Sequence, residues 1–149
     1  MFIGYQNELI DGSEIETLFV AFVAETKEEL ENLPCITLAK IEETDEPVEL
    51  FNGRYCVGET AINEAKSEQV RSIRNQYLET YVDPVVSNPL RWGEMIAEEQ
   101  QEYADYRRYL LDITECAEFP NVEVMTFDEW KQSAIQAITA EINELEKTI

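Results

Sequence analysis

The spacing of apolar residues changes character near Thr60. Upstream, the chain reads as short runs rich in β-branched and aromatic residues. Phe2–Gln6 is one such run and Asp11-Gly12 a turn signal. Glu16–Ala24 carries Leu18, Phe19, Val20, Phe22 and Val23, the composition of a buried strand. Thr26 followed by Glu28 and Glu29 predicts a capped short helix to about Leu33, which Pro34 ends. Cys35–Glu42 is expected to alternate as a strand. Val48–Phe51 and Tyr55–Val57, on either side of Asn52-Gly53, form a hairpin signal, because Asn-Gly supplies the two positive-φ residues of a tight turn.

Downstream, the period becomes helical. Ile62, Val70, Ile73, Tyr77 and Tyr81, with Leu78 beside them, line one side of a long helix that Asp83-Pro84 is expected to stop. Ser87 or Asn88 then caps a second helix with Pro89 at its first position. Its stripe is Trp92, Met95, Ile96, Tyr103, Tyr106, Leu110 and Ile113. Two such helices joined by a short turn predict an antiparallel αα-hairpin. After Phe119-Pro120-Asn121-Val122, Thr126 and Glu129 have the spacing of a capping box, and Phe127, Trp130, Ala134, Ile138, Ile142, Leu145 and Ile149 continue at helical spacing. This last helix either folds back on the hairpin or serves as a partner-binding or oligomerisation helix. The expected fold class is therefore α+β. A small β-rich domain, residues 1–59, precedes a helical region, residues 60–149, with the hairpin at about 60–114 and the C-terminal helix at about 127–147.

Composition narrows the function. With 44% hydrophobic residues the chain has the apolar surface for a packed core. No apolar run is long enough for a membrane span, and no basic leader precedes an apolar segment. The net charge of −21 is spread along the chain: residues 1–66 hold 15 carboxylates against 4 cations, and residues 67–149 hold 17 against 7. Such a surface repels phosphate backbones, so nucleic acid is not an expected partner.

Candidate chemistry is sparse. There is no histidine, which removes the commonest general base and transition-metal ligand. The five glycines form no phosphate-cradling cluster, and Cys35, Cys56 and Cys116 are too far apart for zinc or dithiol motifs. They are expected as reduced thiols, one or more in the core. Glu98, Glu99 and Glu102 lie within about one helical turn and could approach a divalent cation, although a solvated face explains them better. No catalytic residue, cofactor or metal site is expected. Arg107 and Tyr109 fall off the apolar stripe, and an exposed aromatic/arginine patch on an acidic protein is a candidate protein-binding site. The alternative for the arginines is structural, with Arg71, Arg74 and Arg91 pairing with Asp83 and Asp112.

One further pattern lies in residue order. Arg71, Arg74, Asn75 and Leu78 are followed by Thr80 and Asp83; then come Tyr103, Tyr106, Arg107, Leu110 or Leu111, Asp112 and Ile113, closed by Phe119-Pro120-Asn121-Val122. This order, over roughly residues 68–124, resembles the tail assembly chaperones of tailed bacteriophages, a group close to the tail-fibre assembly proteins. Relatives usually follow Phe-Pro-Asn with Trp-Pro, where this chain has Val124-Met125 and a further helix. The resemblance implies a non-enzymatic chaperone that binds a phage tail fibre or other tail protein during morphogenesis. It would work in the cytoplasm of the infected bacterial host, or be kept in the virion tail. The candidate contact residues are then Arg107, Tyr109, Asp112, Phe119, Pro120, Asn121 and Trp130, with the C-terminal helix available for homo-oligomer formation. The alternatives are a structural tail component retained in the virion, and an acidic inhibitor (a DNA mimic or an immunity protein).

Overall fold

The computed structural model describes residues 1–10 and 13–147. The chain is α+β and divides into two compact units, Met1–Ala65 and Lys66–Ile149. The expected turn at Asp11-Gly12 and the last stripe position, Ile149, lie outside the described residues.

The first unit is built on a five-stranded antiparallel sheet. Its strands are β1 (Phe2–Ile10), β2 (Ser13–Ala24), β3 (Lys40–Glu43), β4 (Val48–Phe51) and β5 (Arg54–Val57), in the order β3-β1-β2-β5-β4. β1 and β2 pair over their length, from Phe2 opposite Ala24 to Ile10 opposite Ser13, with register shifts at Gly4/Tyr5 and Asn7/Leu9. Such shifts bend and twist a strand. Helix α1 (Lys27–Glu31) lies against β1 and β2 and contributes the buried Leu30. Its start has the predicted chemistry: the Thr26 hydroxyl accepts from Glu29 N–H at 3.3 Å, and the Glu29 carboxylate accepts from Thr26 N–H at 3.1 Å. The Asn52-Gly53 turn also forms as predicted, with φ of 48° and 78°.

The segment after α1 departs from expectation. Only Lys40–Glu43 is strand; Cys35 stands in the left-handed region at φ 60° and the backbone to Ala39 is irregular. The physical reason is local packing. Leu38 lies over Gly4, where an added Cβ would sit 2.6 Å from its Cδ1. The alternating apolar positions of this segment therefore reflect a loop side chain seated on a strand glycine, not a strand face.

Helix α2 (Glu59–Tyr77) begins in the first unit and continues into the second. It does not stop at Asp83-Pro84. A π-helical turn, Leu78–Val82, follows it directly, and α3 (Asp83–Val86) continues to Ser87. Asp83 N–H bonds the Leu78 carbonyl, five residues back. This wider turn relieves the clash that a proline ring makes with a regular ladder, so Pro84 is accommodated at the start of α3. The second helix is two helices, α4 (Pro89–Glu94) and α5 (Ala97–Asp112), separated by extended backbone at Met95 and Ile96. Asn88 caps α4, its side-chain oxygen accepting from Leu90 and Arg91 N–H at 3.2 Å each. Gly93 weakens the end of α4, where the Trp92 carbonyl accepts from Met95 N–H at 3.4 Å and from the Gln100 side-chain amide at 2.7 Å. Glu99 accepts from Ile96 N–H at 3.2 Å, which starts α5 afresh. Ile96, expected on the apolar stripe, is exposed as a result.

The core of the second unit is Val70, Val82, Tyr106, Leu110, Ile113 and Val124, flanked by Ile73, Tyr77, Tyr81, Tyr109, Phe127 and Trp130. The stripe of Tyr106, Leu110 and Ile113 is thus buried as its spacing predicts. α6 (Phe127–Glu146) ends the described chain. No helix among the described residues is long and apolar enough to cross a membrane.

The hairpin turn supplies a direct test. Gly53→Ala places a Cβ on a residue with positive φ and is expected to lower unfolding stability by about 1 kcal/mol, read from the denaturation midpoint. Asn52→Gly should change it by only a few tenths.

Candidate partner-binding site

Two tyrosines on α5 organise the helical unit's far end. The Tyr106 side chain is fully buried, and its hydroxyl donates to the Met125 carbonyl at 2.9 Å. One turn on, the Tyr109 hydroxyl accepts from Met125 N–H at 3.0 Å. Both polar groups of one peptide residue are therefore satisfied by side chains of a single helix. Burial raises both phenol pKa values; at Tyr106 neighbouring tyrosines add to it, and at Tyr109 the Met125 hydrogen bond opposes it. Both phenols are protonated at neutral pH, so the Tyr106 donor persists.

Met125 immediately precedes the start of α6, which is thereby fixed. Thr126 forms the predicted capping box: its hydroxyl accepts from Glu129 N–H at 3.4 Å and Glu129 accepts from Thr126 N–H at 2.8 Å. Phe127 stacks on Tyr103 at 4.7 Å and packs beside Tyr106 at 5.0 Å, while Trp130 lies 5.5 Å from Tyr106. Lys131 pairs with Glu102 at 2.6 Å. The first turns of α6 thus belong to the core.

The rest of α6 does not. Every residue from Gln132 to Lys147 is exposed. Ile135, Ile138, Ile142 and Leu145 remain 61%, 58%, 51% and 67% accessible, on one face at three- and four-residue spacing. The stretch stays helical to Glu146, and the Thr139 hydroxyl adds a side-chain bond to the Ile135 carbonyl four residues back, at 2.8 Å. It is roughly 24 Å of helix. Covering what each of the four side chains still exposes would contribute about 1 kcal/mol apiece. A helical segment of this length is marginal in water without packing, and this one presents a continuous apolar ridge.

The sequence-predicted contact residues fall into three places. Arg107 and Asp112 are exposed on α5, whereas Tyr109 is turned inward on Met125 and Trp130. Arg107 and Tyr109 are two residues apart on a helix and so face different sides. Phe119 and Pro120, joined by a cis peptide bond, are half-buried; the Arg71 guanidinium lies 5.6 Å above the Phe119 ring. Pro120 and the exposed Asn121, with Val70, Ile73, Tyr77 and Val122, line a groove of about 470 Å³. Trp130 is half-buried in the aromatic cluster.

The remaining candidates are also placed. Among the described residues, Arg71, Arg74 and Arg91 form no ion pair with Asp83 or Asp112; Arg74 instead donates to Asn75. Glu99 and Glu102 are occupied as cap and ion-pair partner, and no group of metal-ligating side chains occurs among the described residues. The three cysteines are free thiols, none buried: Cys35 is exposed, Cys56 and Cys116 half-buried. Exposure of the α6 ridge was not decided by spacing, since the same stripe suits a core. The one available signal was its length beyond Trp130. The chain matches no protein-family model, no curated protein and no solved structure.

Removing either tyrosine hydroxyl should weaken the anchor of α6. Tyr106→Phe and Tyr109→Phe are each expected to cost about 1 kcal/mol, and Tyr106→Ala about 3–5 kcal/mol, measured by denaturant unfolding. Glu129 adds a pH effect. Its carboxyl is held below the usual carboxylate range by the Thr126 backbone hydrogen bond first and the Thr126 hydroxyl second. The stabilisation is present above the ordinary carboxylate pKa and is lost as pH falls through the lowered folded value. Glu129→Gln should flatten the acid limb of stability against pH; an unchanged limb would show that this cap contributes nothing.

Proposed function

We propose that the protein is a non-enzymatic assembly factor of the phage tail-fibre type, which shields a tail component during morphogenesis by docking it on the exposed half of α6. The observation that carries this is the ridge of Ile135, Ile138, Ile142 and Leu145, attached to a core-anchored first turn. A face of four large aliphatic side chains at helical spacing is suited to helix-in-groove or helix-on-helix recognition. Context comes from the residue order between Arg71 and Val122, which resembles tail assembly chaperones. The −21 charge supports the same role, since an acidic surface keeps a complex with an apolar client soluble.

Co-expression with a tail-fibre protein from the same genome tests the proposal. The intact chain should raise the soluble yield of the fibre, and Ile138→Glu with Ile142→Glu should abolish the gain. Both positions are exposed, so the double variant should retain its own stability to within about 1 kcal/mol. Fibre solubility that is the same with and without the protein would sink the proposal.

A further inference from the structure

Resting on the reading of α6 as a partner-binding ridge, we infer that its partner is an amphipathic helix whose apolar stripe is flanked by lysine or arginine. Ile135, Ile138, Ile142 and Leu145 alternate steps of three and four, the seven-residue repeat of a helix–helix seam. By helical spacing Glu141 lies along one side of this ridge and Glu146 along the other. Lys147, the cation of this exposed stretch, falls on the far face. The other flanking positions, Ala134 and Thr139, are uncharged, so the charged groups bordering the seam are carboxylates, and a docking helix places its own flanking side chains within a Debye length of them.

This charge pattern distinguishes between occupants. In a parallel pair of copies, Glu141 of one helix would face Glu146 of the other, because these are the seam-flanking positions that meet. In an antiparallel pair like would meet like at the same positions. Either pairing adds local repulsion to that between two chains of charge −21. A partner with cations beside its apolar stripe removes the repulsion and forms opposite-charge pairs instead. Charge complementarity thus favours a basic-flanked partner over a second copy.

The experiment uses the full chain and two synthetic peptides of three heptads. Both carry the same isoleucine/leucine stripe; one is flanked by lysine and the other by glutamate. Fluorescence anisotropy should show the lysine peptide binding tenfold or more tighter than the glutamate peptide. Its affinity should fall at least tenfold as salt rises from about 50 mM to about 0.5 M. Ile138→Glu with Ile142→Glu should abolish binding, and Glu141→Lys with Glu146→Lys should reverse the preference. Equal binding of both peptides, binding of neither, or binding that survives the isoleucine changes would overturn the inference. So would sedimentation showing a stable oligomer of the intact chain that the isoleucine changes dissociate, which would assign the ridge to a second copy. The assembly proposal can fail separately. Peptide selectivity without any effect on fibre solubility would remove only that role, whereas fibre rescue that needs the ridge but shows no charge preference would remove only the basic partner.

Discussion

The hold of two tyrosine hydroxyls on Met125 is the interaction on which the helical unit's far end depends. An irregular segment between α5 and α6 must satisfy its backbone groups without a ladder. Tyr106 and Tyr109 do this for the residue from which α6 departs, one hydroxyl donating and one accepting. Because Tyr106 is fully buried and also touches Tyr81, Phe127 and Trp130, the same ring that anchors the loop joins the first helical arm to the last helix. Such rings combine a large buried area with a polar end that needs a partner.

An anchored first turn followed by an exposed helix is a lever with one fixed end. Phe127 and Trp130 keep the base of α6 in the core, and the capping box sets where the helix begins. Beyond Lys131 every described residue of α6 is exposed, the apolar face included. The exposed ridge is thus distinct from the residues that hold the fold: Ile135, Ile138, Ile142 and Leu145 face solvent, while Tyr109 and Trp130 are engaged internally. The Phe119–Asn121 loop contributes in a third way, as the wall of a groove lined also by Val70, Ile73 and Tyr77.

Much of this was legible in the sequence, and the losses have physical causes. The Thr26 and Thr126 boxes, the Asn88 cap and the Asn52-Gly53 turn depend on residues adjacent in the chain, so local chemistry decides them. The Tyr106-Leu110-Ile113 stripe was readable because burial imposes the period. Pro84 misled because a π turn, set by ladder geometry, lets the helix run on. The break at Met95-Ile96 was hidden because the apolar spacing of Trp92 to Tyr103 continues across it, while Gly93, Glu99 and Gln100 determine the interruption. Leu38 looked like part of a strand because packing against Gly4, distant in sequence, selects the same alternation. The inward turn of Tyr109 depends on Met125, sixteen residues away, and no periodicity encodes that.

Charge and apolar surface on this chain are complementary in one respect. An isoleucine ridge on a neutral protein would be satisfied by another copy of itself, since identical seams fit one another. Here the flanking carboxylates make that contact the unfavourable one, locally at Glu141 and Glu146 and globally through a net charge of −21. The hydrophobic term is indifferent to which apolar face arrives; the electrostatic term is not. In the proposed docking, discrimination between self and partner would therefore come from the borders of the ridge, and the affinity from its centre. A helix that must remain available for a partner requires that division, because an apolar face alone offers no selectivity and a charged one alone offers little hold.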